Sequence, residues 1–160
     1  MWEGKNVTVF VTGGIAAFKA ATLVRLFVKA GANVEVAMTK SACEFITPLT
    51  FQVLTKNKVH TDTFDEDEAD LVQHIHLADK TDVAVVVPAT ANTIAKLANG
   101  IADNFVTSTL LATTAPIYVA PAMNEHMWEN PATVRNVAQL KADGKVIIEP
   151  TTGFLAEGYN

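Results

Sequence analysis

Apolar residues along this chain come in short bursts, each followed by a turn-forming residue and then by a segment with helical spacing. Val7-Thr-Val-Phe-Val11 is rich in β-branched residues and stops at Thr12-Gly-Gly14, which predicts a strand closed by a tight turn. Residues 15–30 contain no Gly or Pro and repeat apolar side chains at helical spacing, and Gly31 follows, so a helix is expected there with glycine at its end. Val34-Glu-Val-Ala-Met38 predicts a second strand, residues 43–46 a short helix, and Thr47-Pro48 the start of another, because proline suits the first helical position. Further strands are expected at 82–87, 117–120 and 146–148, and helices at 91–99, 104–112 and 131–142, the last behind Asn130 as its cap. No repeat or low-complexity linker interrupts the series. Strands alternating with helices imply a parallel sheet covered on both faces, an α/β architecture.

Composition narrows the class. A chain of 160 residues predicts one domain over 1–160, and a domain near that size buries roughly 68–70% of its unfolded surface. Hydrophobic residues make up 49% and the formal charge is −5, so the basic face that nucleic acid requires is not expected. Asp65-Glu-Asp-Glu-Ala-Asp70 reads as a solvated acidic loop rather than a metal site. The single cysteine, Cys43, excludes an internal disulfide and any multi-cysteine metal site and suits a reducing cytoplasm. No stretch approaches the roughly 18 uncharged apolar residues of a membrane span, and the N-terminus lacks a signal-peptide pattern. Neither nucleic acid nor membrane is therefore expected as a partner.

Candidate chemistry gathers at strand ends, where open parallel sheets bind ligands. The strand at 82–87 runs into Pro88-Ala-Thr-Ala-Asn-Thr93, and the strand at 117–120 runs into Pro121-Ala-Met-Asn-Glu-His-Met-Trp128. The first turn, Thr12-Gly-Gly-Ile-Ala16, is either a simple tight turn or an anion site built from backbone amides at a helix start. It lacks the G-x-G-x-x-G spacing, so a dinucleotide is not indicated. Four histidines are present; His60, His76 and His126 read as ordinary surface or partly buried residues. Spacing alone does not choose His74 over His76, which would face opposite sides of an extended segment. Met123, Met127 and Trp128 are either core packing or pocket wall, whereas the Asn124 amide offers both a donor and an acceptor to a ligand.

These segments carry a family resemblance. Pro88-Ala-Thr-Ala-Asn-Thr93 resembles the PASANT motif, Pro121 to Trp128 matches the PXMNXXMW motif, and Gln73-His-Ile-His-Leu-Ala78 resembles the segment holding the active-site histidine of the flavin-dependent cysteine decarboxylases. The resemblance extends from Gly4 to Ala156 and implies a three-layer Rossmann-like, flavodoxin-like sheet. It implies flavin mononucleotide (FMN) as cofactor, held by Gly13, Gly14, Ile15, Ala16, Thr39, Ser41, Thr90, Ala91, Asn92, Thr93, Ala122 and Met123. It selects His74 as the catalytic base and Asn124 and Met127 as substrate contacts, with Phe154, Leu155 and Ala156 as a substrate clamp. Glu157 stands where many members carry a proton-donating cysteine; it is either a replacement acid or a solvated tail residue. The implied reaction uses flavin as an electron sink, because oxidising the substrate thiol to a thioaldehyde places the carboxylate β to a C=S group and lets carbon dioxide leave. The chain most resembles the coenzyme A branch, which implies 4′-phosphopantetheine as product and a homotrimer or a multiple of it. The alternatives are a peptidyl-cysteine decarboxylase of lantibiotic maturation and a non-catalytic flavin-binding regulatory subunit. A flavin prenyltransferase would not be expected to combine the His74 and Met-Asn patterns.

Overall fold

The computed structural model describes residues 1–62 and 70–150. Within them β1 (Asn6–Val11), α1 (Ala17–Lys29), β2 (Asn33–Met38), a 3-10 turn (Ala42–Glu44), α2 (Pro48–Thr55), α3 (Asp70–Lys80) and β3 (Val83–Ala89) follow in order. α4 (Ala91–Asn99), α5 (Phe105–Ala112), β4 (Ile117–Pro121), α6 (Glu125–Glu129), α7 (Pro131–Ala142) and β5 (Val146–Ile147) complete the series. The five strands form one parallel sheet in the order β2-β1-β3-β4-β5. This is the expected α/β fold.

The period of two along the strands divides the core into two faces. Val7, Val9 and Val11 of β1, with Val34, Val36 and Met38 of β2, pack against Ala17, Ala20 and Val24 of α1 and Phe51 of α2. Phe51 is the buried residue of α2, so one aromatic ring seats that helix. On the other face Phe10, Ala37, Val86 and Val119 meet Ile94 of α4, Val106 and Leu110 of α5, and Val137 and Leu140 of α7. Thr8 lies on this second face among apolar neighbours, and its hydroxyl is satisfied by the Thr81 hydroxyl at 2.7 Å, as a buried polar group requires.

Local signals read from the sequence operate as expected at several ends. Pro48 and Pro131 open α2 and α7, and Asn130 Oδ1 accepts from the Ala132 amide. Gly31 follows α1 at φ +91°, a backbone state glycine adopts without a Cβ penalty. Three elements differ from expectation, the first being the short helix expected at 43–46, which is a three-residue 3-10 turn over Ala42–Glu44. The segment holding His74 and His76 is the helix α3, not extended chain, and the segment after β4 contains the short helix α6. Residues 65–69 of the acidic run lie outside the described residues, and Asp70 opens α3.

Candidate functional site at the carboxyl edge of the sheet

Parallel register brings four loops to one level. Val11 lies opposite Met38, Phe10 opposite Val86, and Ala89 opposite Pro121, so the chain leaves β1, β2, β3 and β4 along one edge. The loops are then tied to one another. The buried Thr12 hydroxyl donates to the Pro88 carbonyl and accepts from the Thr90 amide at 3.1 Å. The Ala122 amide donates to the Ala89 carbonyl at 3.1 Å.

The glycine turn is shaped by a close approach. A Cβ on Gly13 would lie 2.6 Å from Cβ of Ser41, a distance that no side chain tolerates, so the loops after β1 and β2 meet only because residue 13 is glycine. Gly14 takes φ +156°. Ala16 caps α1 without a side-chain acceptor, and among the described residues the amides of Gly13, Gly14, Ile15 and Ala16 have no hydrogen-bond partner. Unpaired amides at a helix start carry the positive end of the helix dipole.

The hydroxyls along the edge are mostly engaged in holding it together. Thr39 Oγ1 accepts from the Ala42 amide at 3.1 Å, and Thr90 caps α4 by accepting from the Thr93 amide at 3.1 Å and donating to its hydroxyl at 3.2 Å. Ser41 and Asn92 are exposed and Ala91 is half-buried beside them. The segments 13–16, 39–41, 90–93 and 122–124 contain no acidic side chain, and Lys40 adds a positive one. Amide donors, a serine hydroxyl with no partner among the described residues and the absence of carboxylates from these segments fit the phosphate of a mononucleotide cofactor. A cleft of about 540 Å³ lined by Lys40, Cys43, Pro48, Thr61 and Asp62 opens at the end of β2. Burial, then the Asp62 and Glu44 charges, push the Cys43 thiol up, which keeps it protonated.

Asn124 has a local task that its sequence context did not reveal. It caps α6, its Oδ1 accepting from the Met127 amide at 2.9 Å, so its Nδ2 is the end left to donate to a ligand carboxylate. Met123 is buried in the second core face and Trp128 packs against it, while Ala122 is half-buried and Met127 exposed. His74 and His76 sit two positions apart on α3, about 200° around a helix at 3.6 residues per turn; His74 is half-buried and His76 exposed. The ring of His74 meets Phe105 edge to face at 6.5 Å. Phe154, Leu155, Ala156 and Glu157 lie outside the described residues.

A charged cluster beside α3 was not anticipated. Glu35 points from β2 into the second core face, where its Oε1 lies 2.9 Å from His60 Nε2 and its Oε2 faces the Lys80 ammonium. The His60 hydrogen bond, assisted by Lys80 and opposed by burial, holds the Glu35 carboxyl at about 2 instead of its ordinary 4.5. Among the described residues no three His, Cys, Asp or Glu side chains group as metal ligands, and no helix is long and apolar enough to cross a membrane.

The Flavoprotein family model matches residues 1–158; the chain belongs to the Flavoprotein family. It is 54% identical over 159 residues to the coenzyme A biosynthesis bifunctional protein CoaBC of Bacillus subtilis, covering 99% of this chain and 39% of that protein. It is 47% identical over 156 residues to the probable phosphopantothenoylcysteine decarboxylase of Streptococcus mutans, covering 96% of this chain and 87% of that one. The chain therefore spans about two-fifths of the bifunctional relative's length and most of the other's. The crystal structure of TvaF, an FMN-dependent cysteine decarboxylase from thioviridamide biosynthesis, superposes with a TM-score of 0.86 at 34% identity, covering 94% of this chain and 93% of that one.

The Glu35 cluster makes a stability prediction. A carboxyl whose folded pKa is depressed stabilises the fold above its unfolded pKa and loses that contribution as pH falls through the folded value. Glu35→Gln is expected to lower the unfolding free energy by about 1.5–3 kcal/mol near neutral pH, the scale of a hydrogen bond to a charged group. The difference from the parent should persist down to 4.5 and disappear as pH falls through about 2. Urea unfolding at several pH values measures it, and equal stabilities near neutral pH would contradict it.

Proposed function

We propose that this chain binds FMN and decarboxylates 4′-phosphopantothenoylcysteine to 4′-phosphopantetheine in coenzyme A biosynthesis. The observation that carries the reading is the carboxyl edge itself, where, among the described residues, the unpaired amides at 13–16 and the Ser41 hydroxyl lie on the loops after β1 and β2 and Asn124 caps α6 within the Met-Asn motif after β4. The choice of branch is supported by the 54% and 47% identity to CoaBC and to the probable phosphopantothenoylcysteine decarboxylase, over 99% and 96% of this chain.

Flavin, when bound, supplies the electron sink that a cysteine carboxylate lacks. The chain's own residues bind, orient and move protons. The amides of 13–16 hold the cofactor phosphate with neutral donors, so the acidic protein needs no lysine cluster there. Asn124 donates from Nδ2 to the substrate carboxylate while its Oδ1 stays fixed on α6, a pre-paid orientation. His74 accepts the substrate proton, a task an imidazole performs near neutral pH. Met127, exposed beside Asn124, forms an apolar wall.

A homo-oligomer, a trimer or a multiple of it, completes the reading. Ile15 and Phe18 at the start of α1, Phe45, and Leu49 and Val53 of α2 are each more than half exposed, and α1 packs against α2. Large exposed apolar side chains on two helices that pack together support an interface there. Cytoplasmic placement fits the single half-buried thiol of Cys43.

Protein reconstituted with FMN is expected to release carbon dioxide from 4′-phosphopantothenoylcysteine and yield 4′-phosphopantetheine by mass spectrometry. A folded protein that takes up no flavin, or turns over only peptides, would contradict the assignment. His74→Asn should retain flavin and lose decarboxylation by at least about 10²-fold, the scale of general base catalysis, with His76→Asn close to the parent; equal losses would remove the distinction between them. Light scattering of the flavin-loaded protein should give a multiple of three subunits, and a monomer mass at micromolar concentration would refute the assembly.

A further inference from the structure

We propose that Phe105 and His60 form a stacked-ring strut that fixes the orientation of the His74 imidazole, making both positioning residues for the reaction. This rests on the reading of His74 as the base. The terminal torsion of a histidine side chain is broad and roughly two-fold, so helix geometry alone does not set the plane of the imidazole, and the groups packed around it do. Phe105 is one of them. Its ring meets His74 edge to face, with centroids 6.5 Å apart and planes at 83°, and stacks on His60 at 5.1 Å and 8°. Both spacings lie in the range of favourable ring pairs.

The strut is anchored at each end. His60 joins the outer edge of β2 through backbone bonds, its amide to the Val36 carbonyl at 2.9 Å and its carbonyl from the Met38 amide at 2.8 Å. Its imidazole is tied to Glu35, and Glu35 in turn faces Lys80 of α3. Two residues beyond His60, Asp62 accepts from the Phe105 amide at 2.7 Å, so one short segment holds both the backbone and the ring of Phe105. Asn104 and Thr107 form a capping box that fixes the start of α5 at the same point. The path closes on itself: α3 through Lys80 to β2, β2 to His60, His60 to Phe105, and Phe105 back to His74 on α3. An aliphatic side chain at 105 could fill the volume, but it has no flat face to set an imidazole plane.

Phe105→Leu and His60→Gln separate positioning from packing; glutamine retains a donor for Glu35 and lacks a ring. Two readouts apply: steady-state kinetics of the FMN-loaded protein, and the His74 imidazole proton resonances of the protein without added flavin. Phe105→Leu should lower kcat by about 10–100-fold, the cost of displacing a catalytic group by about 1 Å, with substrate KM and flavin content unchanged. Phe105→Tyr should restore most of the rate. His60→Gln should give the same split with a smaller loss. In the NMR spectrum Phe105→Leu should shift the His74 resonances through loss of the ring current, and Phe105→Tyr should not. Parental kcat in Phe105→Leu, failure of tyrosine to rescue, or unmoved His74 resonances would overturn the proposal. A parent protein that does not decarboxylate would defeat the functional reading instead, and the strut would then stand or fall on the resonances.

Discussion

The buried hydroxyl of Thr12 holds the carboxyl edge in one shape. It bridges the chain leaving β1 to both the Pro88 carbonyl and the Thr90 amide beyond β3, across the central pair of the sheet. With β1 paired to β2 on its other side and β3 to β4, this bridge fixes where the glycine turn lies relative to the other three loops. A hydroxyl with no access to water must find its partners within the protein, so the bridge persists whether or not a ligand is present. Site geometry is thus a consequence of core formation.

A division of labour follows. Thr12, Thr39 and Thr90 commit their hydroxyls to neighbouring backbone, whereas the amides of 13–16 and the exposed Ser41 hydroxyl have no partner among the described residues. The threonines that the resemblance implies as cofactor contacts hold the loops in place instead, with Thr39 bonded to the Ala42 amide and Thr90 to Thr93. Asn124 behaves likewise, with the Oδ1 of its amide capping α6. Donors held by structure lose little freedom on binding, which is where preorganised sites gain affinity.

Most elements were legible because their signals are local. Runs of β-branched residues marked β1 to β4, and Pro48, Asn130-Pro131 and Gly31 marked helix ends through mechanisms that act within a few residues. Helix α3 was not legible, since Gln73-His-Ile-His-Leu77 alternates polar and apolar residues with the period of a strand; Ile75 is in fact 42% exposed and Leu77 buried. Helix α6, at five residues, is too short to show a period. The Glu35–His60–Lys80 cluster left no trace, because Val34-Glu-Val36 reads as an ordinary strand with one solvated side chain. Its partners come from distant segments, and only tertiary packing joins them. The candidate site was legible as motifs at strand ends, while the parts that orient His74 lie outside every motif.

On the proposed reading, the backbone amides of the turn after β1 anchor the phosphate of a flavin. Spectroscopic titration of the protein with FMN and with riboflavin, which lacks only the phosphate, isolates that contribution. Two hydrogen bonds to a charged group, at about 1.5–3 kcal/mol each, predict that FMN binds at least about 10²-fold more tightly than riboflavin. Equal affinities would mean that the turn holds no phosphate.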